Sequence, residues 1–212
     1  LSSGQTTSFS IHKIAEIKQI FFSDMSDKYD ELEREMLKRF FEFLKNNSNM
    51  KWIHWNMRDG NYGFQAIEHR YEVLKGKPFK ISDENKIDMA TLFIDLYGVG
   101  YVGHPRMESL MKLNKITDKD WLSGKDEAEA FDNQEYLKLH QSTLRKVDII
   151  ANLINRQLDG NLKTLAKWHE IYGISVQSIY VYYNEHWWCK LIGGTALLIL
   201  GGIVGALIGK II

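Results

Sequence analysis

The chain has 212 residues, and its 27 basic and 27 acidic side chains give a formal net charge of zero. Charged residues make up 25% and hydrophobic residues 44%, which is an ordinary mixture for a globular protein. These values exclude a wholly disordered chain and a polybasic nucleic-acid binder, so we expect no duplex nucleic acid as a partner. The single cysteine excludes an intrachain disulfide and a cysteine-based zinc site.

Apolar residues recur at helical spacing along most of the chain, and this periodicity predicts a mainly α-helical fold. An alternating, strand-like pattern persists only over residues 178–183. Because no repeat, low-complexity tract or proline-rich linker divides residues 1–175, we predict a single helical soluble domain there, which binds a ligand or partner. The predicted helices, in chain order, cover residues 10–22, 27–46, 82–97, 105–114, 126–158 and 161–173.

Residues 51–78 concentrate aromatic, basic and amide side chains. If the first part is helical, His54 and Arg58 share one face because they lie four residues apart. Aromatic rings stack on planar bases, and arginine donates paired hydrogen bonds to phosphate. We therefore predict a site for a small anionic, nucleotide-like ligand. The candidate ligand-binding residues are Trp52, His54, Trp55, Asn56, Arg58, Asp59, Tyr62, Glu68, His69, Arg70, His104 and Arg106.

The same residues have two other interpretations. In the first they form a core corner, where the two tryptophans fill apolar space and the charges pair on the surface. In the second they catalyse a reaction: a hydrolase or nuclease acting on nucleotides would use His54, Glu68 or His69 as acid and base, and its arginines would hold phosphate. The sequence favours binding over catalysis but assigns no catalytic residue.

Gly98, Gly100 and Gly103 match the dinucleotide-binding pattern G-x-G-x-x-G letter for letter. That pattern has force only between a strand and a helix, and the residues before Gly98 have helical spacing. We therefore predict a turn here, one that places His104 and Arg106 against the aromatic region. The remaining histidines are scattered without the spacing of metal ligands, so we predict neither a metal nor a cofactor.

The last part of the chain predicts a transmembrane helix. Residues 191–209 carry no charge, lysines stand at 190 and 210, and residues 176–189 form an aromatic juxtamembrane segment. Within the predicted span of residues 190–212, four glycines lie roughly along one helix face and predict self-association through a glycine zipper. These glycines are Gly194, Gly201, Gly205 and Gly209.

Together these features predict a membrane protein with one C-terminal anchor and a cytoplasmic helical domain. The expected partners are membrane lipid, further copies of the chain and the small anionic ligand. The preferred hypothesis is a sensor or effector whose span assembles and perturbs the membrane, with cell defence or growth arrest as the role by architectural analogy. The alternatives are the membrane-tethered hydrolase or nuclease and a membrane adaptor without catalysis.

Overall fold

The structure, a computed structural model, describes residues 5–58, 60, 62–173 and 175–208, and the side chains of these except 22, 176 and 203–208. The described chain is mainly helical, with 63% helix in ten α-helices, as the sequence predicts. The helices are α1 Ile11–Ile17, α2 Tyr29–Asn46, α3 Phe64–Val73, α4 Met89–Tyr97, α5 Arg106–Leu113, α6 Gly124–Asp132, α7 Tyr136–Leu158, α8 Trp168–Tyr172, α9 Val176–Glu185 and α10 Trp187–Ile208.

Two short strands replace predicted helix. β1 (Trp52–His54) pairs in parallel with β2 (Lys86–Asp88), and His54 lies opposite Asp88 in the register. The helical interpretation of residues 52–58 was therefore wrong at its start, and so was the single helix predicted over residues 82–97. Three-residue strands are too short to show an alternating pattern, so periodicity does not detect them.

The long helix predicted over residues 126–158 is two helices. Ser123 caps α6 through a reciprocal capping box with Asp126, one turn earlier than predicted. The chain then breaks between α6 and α7, where Gln134 has a φ of 60°. Apolar residues on both sides keep helical spacing across this break, which conceals it in the sequence.

Buried side chains form two main clusters, one on each side of the strand pair. One joins α4, α5 and α7 around Phe93, Tyr101 and Ile149. The other joins α2 and α3, where the rings of Phe41 and Tyr71 stack with centroids 5.0 Å apart. A smaller cluster of Ile14, Ala15 and Leu32 holds α1 against α2. The strand pair thus connects the two packed halves.

The predicted transmembrane helix is contradicted. Among the described residues, no helix combines the length and the apolar character needed to cross a bilayer. The run counted in the sequence ended at residues 209 and 210, which lie outside the described residues, and side chains of α10 are described only to residue 202. From 191 to 202 the run is shorter than the roughly 20 residues that a bilayer requires. The predicted localisation as a single-pass anchor loses its support with it.

The residues that were predicted to form an aromatic belt and a glycine face have surroundings that differ from those predicted. In the belt, Tyr182 stacks on His186 at 4.1 Å, and Tyr172 donates a hydrogen bond of 2.8 Å to Glu185. A Cβ added to Gly194 or Gly201 would meet nothing within 4 Å of the described chain. Gly193 instead makes the close approach, since an added Cβ would lie 2.7 Å from the hydroxyl of Tyr183 in α9. Of the other two glycines of the predicted zipper, Gly205 lies in the part of α10 whose side chains are not described, and Gly209 lies outside the described residues.

Candidate functional site

The structure separates the predicted ligand-binding residues into several places. The two tryptophans lie in different cores: Trp52 packs 5.9 Å from Phe43 beside α2, and Trp55 packs 6.3 Å from Phe93 of α4. Their rings are therefore engaged by protein side chains. Both tryptophans are half-buried, and each meets a phenylalanine ring edge to face.

Asp88 is the centre of the polar corner at the end of β1 and β2. Its Oδ1 accepts hydrogen bonds from the backbone N–H groups of Asn56 (2.8 Å) and Ala90 (3.1 Å), and the second bond caps α4. Its Oδ2 accepts from the Thr91 hydroxyl at 3.1 Å and lies 3.4 Å from Nε of Arg58. Both carboxylate oxygens are thus occupied by the fold itself.

His54 belongs to the same corner and is buried at 7% exposure. Its Nδ1 accepts a hydrogen bond from the Met57 N–H at 3.2 Å, so the neutral ring carries its proton on Nε2. The distance from Nδ1 to Asp88 is 3.9 Å, too long for a hydrogen bond. Burial lowers the pKa of His54, and the Asp88 charge opposes this only in part. The pair therefore lacks the hydrogen bond of a catalytic relay.

The charged candidates of α3 point elsewhere. Arg70 forms ion pairs with Asp30 (2.6 Å) and Glu33 (2.5 Å) of α2, and these hydrogen bonds raise its pKa. Glu68 is half-buried and His69 is exposed on the same helix. Asp59 lies outside the described residues. Arg70 is therefore engaged by α2, whereas Arg58 lies beside Asp88 in the corner that contains His54.

The glycine-rich loop connects two helices, which removes the dinucleotide interpretation. Gly98 ends α4 with a φ of 81°, and the loop turns Tyr101 into the core beside Arg106, whose guanidinium lies 6.0 Å from the ring centre. In the described part of the chain, the Tyr101 hydroxyl and Arg106 Nε have no hydrogen-bond partner. His104, which was predicted to lie with Arg106 against the aromatic region of residues 51–78, is exposed.

Two adjoining cavities lie between the helices, on either side of residues 6–10. The first, the histidine cavity, has a volume of about 510 Å³ and is lined by residues of α1, α2 and α7 that include His12, Tyr29 and His140. The second, the Arg70 cavity, has a volume of about 520 Å³ and is lined by α2, α3 and α7, with Tyr62 and Arg70 among its residues. Both are within the usual volume of small-molecule sites.

Four residues line both cavities: Ser8, Phe9, Met36 and Thr143. The cavities therefore share a wall formed by these residues, and we call the two cavities together the groove, with one arm on each side of this wall. Phe9 sits at its middle, with its ring centroid 5.5 Å from those of both Phe40 and Phe43. The groove thus runs along α2 and passes the point where the N-terminal segment is held to that helix.

Polar groups converge at one wall of the histidine cavity. The rings of His12 and His140 meet edge to face with centroids 6.1 Å apart. Ser10 Oγ lies 3.4 Å from His12 Nε2, and Ser8 Oγ lies 3.3 Å from His140 Nδ1. Burial lowers the pKa of His12, and the neighbouring charge of His140 lowers it further. The wall therefore combines imidazole and hydroxyl groups beside apolar space.

The sequence prediction missed this wall because its two histidines are separated by most of the chain. It also missed Asp88, although a helix-capping residue before the apolar stretch of α4 is a readable signal, because the helix predicted over residues 82–97 began before it. Of the predicted residues that the structure describes, Tyr62 and Arg70 line the groove. The structure thus places the groove beside a small part of the predicted set.

Within the described residues, no group of three or more histidine, cysteine, aspartate or glutamate side chains is arranged to hold a metal ion. Comparison with known proteins adds no assignment: no family model, no curated protein and no solved structure matches the chain. The functional evidence therefore consists of the geometry of the groove and of the Asp88 corner.

Proposed function

We propose that the helical domain is a binding domain, which takes a small ligand with a largely apolar body in the groove between α2, α3 and α7. The observation that carries this proposal is the pair of adjoining cavities that share the wall around Phe9. Each has a volume typical of ligand sites, about 510 and 520 Å³. This keeps the predicted ligand-binding role of the domain and moves it away from the tryptophans.

The lining of the groove supports an apolar ligand body. Met36 lies at the junction of the two arms, and methionine adapts its unbranched side chain to ligands of different shape. Phe9, Phe40 and Val147 add apolar surface along the Arg70 cavity. A few polar groups at each end, Arg70 in one arm and the histidines in the other, complete the pattern of a small-molecule site.

The enzyme alternative has weaker support. A general base must reach the proton that it removes, and His54 is buried with its Nδ1 already bonded to the Met57 N–H. The Ser8–His140 and Ser10–His12 contacts resemble nucleophile–base pairs, but the described residues provide no carboxylate that hydrogen-bonds to either histidine. Binding therefore explains the groove with fewer requirements than catalysis.

The experiment uses a neutral fluorescent probe, N-phenyl-1-naphthylamine, whose emission rises in apolar sites. We expect saturable binding to the full chain. Thr143 lines both arms and is exposed on α7, so Thr143→Trp should fill the groove and weaken binding at least about tenfold. Gln141→Trp, two residues away and also exposed, is the matched control and should bind normally.

Equal binding by both variants would place the probe outside the groove and contradict the proposal. So would the absence of saturable binding by the unmodified chain. The predicted effector role, self-association and adaptor role stay predictions, since no described contact bears on them.

A further inference from the structure

The histidine cavity brings two histidines and two serines together at one of its walls. His12 and Ser10 approach it from the start of α1, whereas His140 approaches from α7, and Ser8 joins the two. Each hydroxyl can donate one hydrogen bond, and each imidazole donates from both nitrogens when protonated. The wall is therefore rich in donors that can turn towards a ligand.

The charged groups around this wall are paired or offset by one another. α1 contributes Lys13 and Glu16, both exposed, whose opposite charges largely offset each other. α2 contributes Tyr29, and Glu33, which lines the neighbouring Arg70 cavity, is held by Arg70. α7 contributes Tyr136, which stacks on His12 at 6.2 Å. The rings of His12 and His140 thus face each other, and in the described residues no carboxylate is hydrogen-bonded to either of them.

We propose that the groove binds an amphipathic organic anion, with its acidic head between His12 and His140 and its apolar chain along Phe9 and Met36. This inference rests on the proposed binding function and adds the chemical class of the ligand. The head replaces repulsion between two imidazolium groups with attraction to both. The chain has apolar surface beside the head site, because Phe9 and Met36 line the histidine cavity together with Met25 and Leu139.

Binding of the anion is coupled to protons. Burial and the charge of His140 lower the pKa of His12 in the empty groove, and a carboxylate beside the ring opposes both effects. The complex therefore holds more protons than the free protein. By linkage, the affinity for the anion rises as the pH falls through the range in which His12 takes up its proton.

Three ligands with the same chain separate the head from the body: decanoate, decanol and decylammonium, each below its micelle concentration. In calorimetric titrations of the full chain at about pH 6, we expect decanoate to bind at least about tenfold more tightly than decanol, and decylammonium most weakly. At about pH 8 the preference for decanoate should shrink to a few-fold at most.

The double variant His12→Gln/His140→Gln keeps polar side chains and removes the charge. It should lower the affinity for decanoate to that for decanol, while decanol binds as before. His69→Gln, which alters an exposed histidine of α3, is the matched control and should change neither affinity. If the double variant unfolds, the pH dependence of the unmodified chain gives the same test.

The outcomes distinguish the two proposals. Equal affinities for decanoate and decanol at about pH 6 overturn the acidic head but leave the groove as an apolar site. Tighter binding of decylammonium also overturns it. Failure of all three ligands to bind removes the proposed function itself.

Discussion

The Asp88 corner and the histidine cavity both contain half-buried polar groups, but these groups have different numbers of partners within the protein. At the corner, Asp88 accepts from two backbone N–H groups and the Thr91 hydroxyl, and Arg58 lies beside it. At the cavity, His12 and His140 contact serine hydroxyls at 3.4 and 3.3 Å and border a space of about 510 Å³. The first arrangement stabilises a fold, whereas the second can serve a ligand.

The difference shows why residue type alone locates a site poorly. Histidine beside aspartate and arginine is a familiar catalytic set, yet here the partners saturate one another and cap a helix. A pair of histidines with simple serine neighbours looks less informative, yet it retains donors and charge for another molecule. A polar side chain whose hydrogen-bonding groups are already used by the protein has a structural role, whereas one with unused groups is available to a ligand.

Removing the Asp88 carboxylate should have the largest effect on stability. Asp88→Ala deletes a helix cap and leaves the Asn56 and Ala90 N–H groups without their acceptor, so we expect a loss of about 3 kcal/mol in the free energy of unfolding. Urea unfolding measures it. Asp83→Ala, in which the side chain is 98% exposed, should change stability by less than about 0.5 kcal/mol. Equal losses in the two variants would refute the structural role of the corner.

We expect the next largest effect on stability at Phe9, which lines the groove. Phe9→Ala removes the contacts with Phe40 and Phe43 that hold residues 6–10 to α2. Because the ring is only half-buried, we expect a loss of about 1–2 kcal/mol, less than for a fully buried phenylalanine. Limited proteolysis should cut residues 5–10 faster than in the unmodified chain. Unchanged cleavage would show that Phe9 does not anchor this segment.

The pH dependence of stability should show whether His54 is held neutral in the folded state. Burial lowers the pKa of His54 in the folded state, so between the unfolded and folded values the unfolded chain binds the extra proton. Stability contributed by neutral His54 is thus complete above about pH 6.5 and is lost as the pH falls below it. His54→Asn should flatten this slope when urea midpoints are compared across the range. An unchanged slope would mean that His54 is not held neutral.

The weakest expected effect concerns the ion pairs of Arg70. Asp30 is 75% exposed, so its pairing with Arg70 is screened, and Asp30→Asn should cost about 0.5 kcal/mol or less. Glu33 is 16% exposed, so Glu33→Gln should cost more, up to about 1 kcal/mol. Added salt should change the difference between the two stability losses only slightly, because the Arg70–Glu33 pair is shielded from solvent. A larger loss of stability in Asp30→Asn than in Glu33→Gln would contradict the claim that the Glu33 pair contributes more to stability.

The helical class was predictable because amphipathic spacing such as that of Leu37, Phe41 and Leu44 persists over many turns of α2. The strand pair was not, since its parallel partners are separated by more than thirty residues and each strand has only three. The transmembrane prediction was wrong because, among the described residues, no helix is both long enough and apolar enough to cross a bilayer.

The candidate site was predictable only in part. Tyr62 and Arg70 line the groove as members of the predicted set, but their neighbours Trp52 and Trp55 fill cores. His12 and His140 meet because α1 and α7 pack at opposite sides of the N-terminal segment, and no local pattern encodes that meeting. Open volume is a property of tertiary packing and has no signature in a single sequence.

The most direct test of the account follows the histidine side chains themselves during a titration with decanoate. Long-range proton–nitrogen NMR spectra resolve the ring signals and their protonation. At saturation, the signals of His12 and His140 should shift and the apparent pKa of His12 should rise, while the signals of His54 stay unchanged. Shifts confined to His54, or the absence of a rise in the pKa of His12 when ligand is bound, would contradict the division between a structural corner and a binding groove.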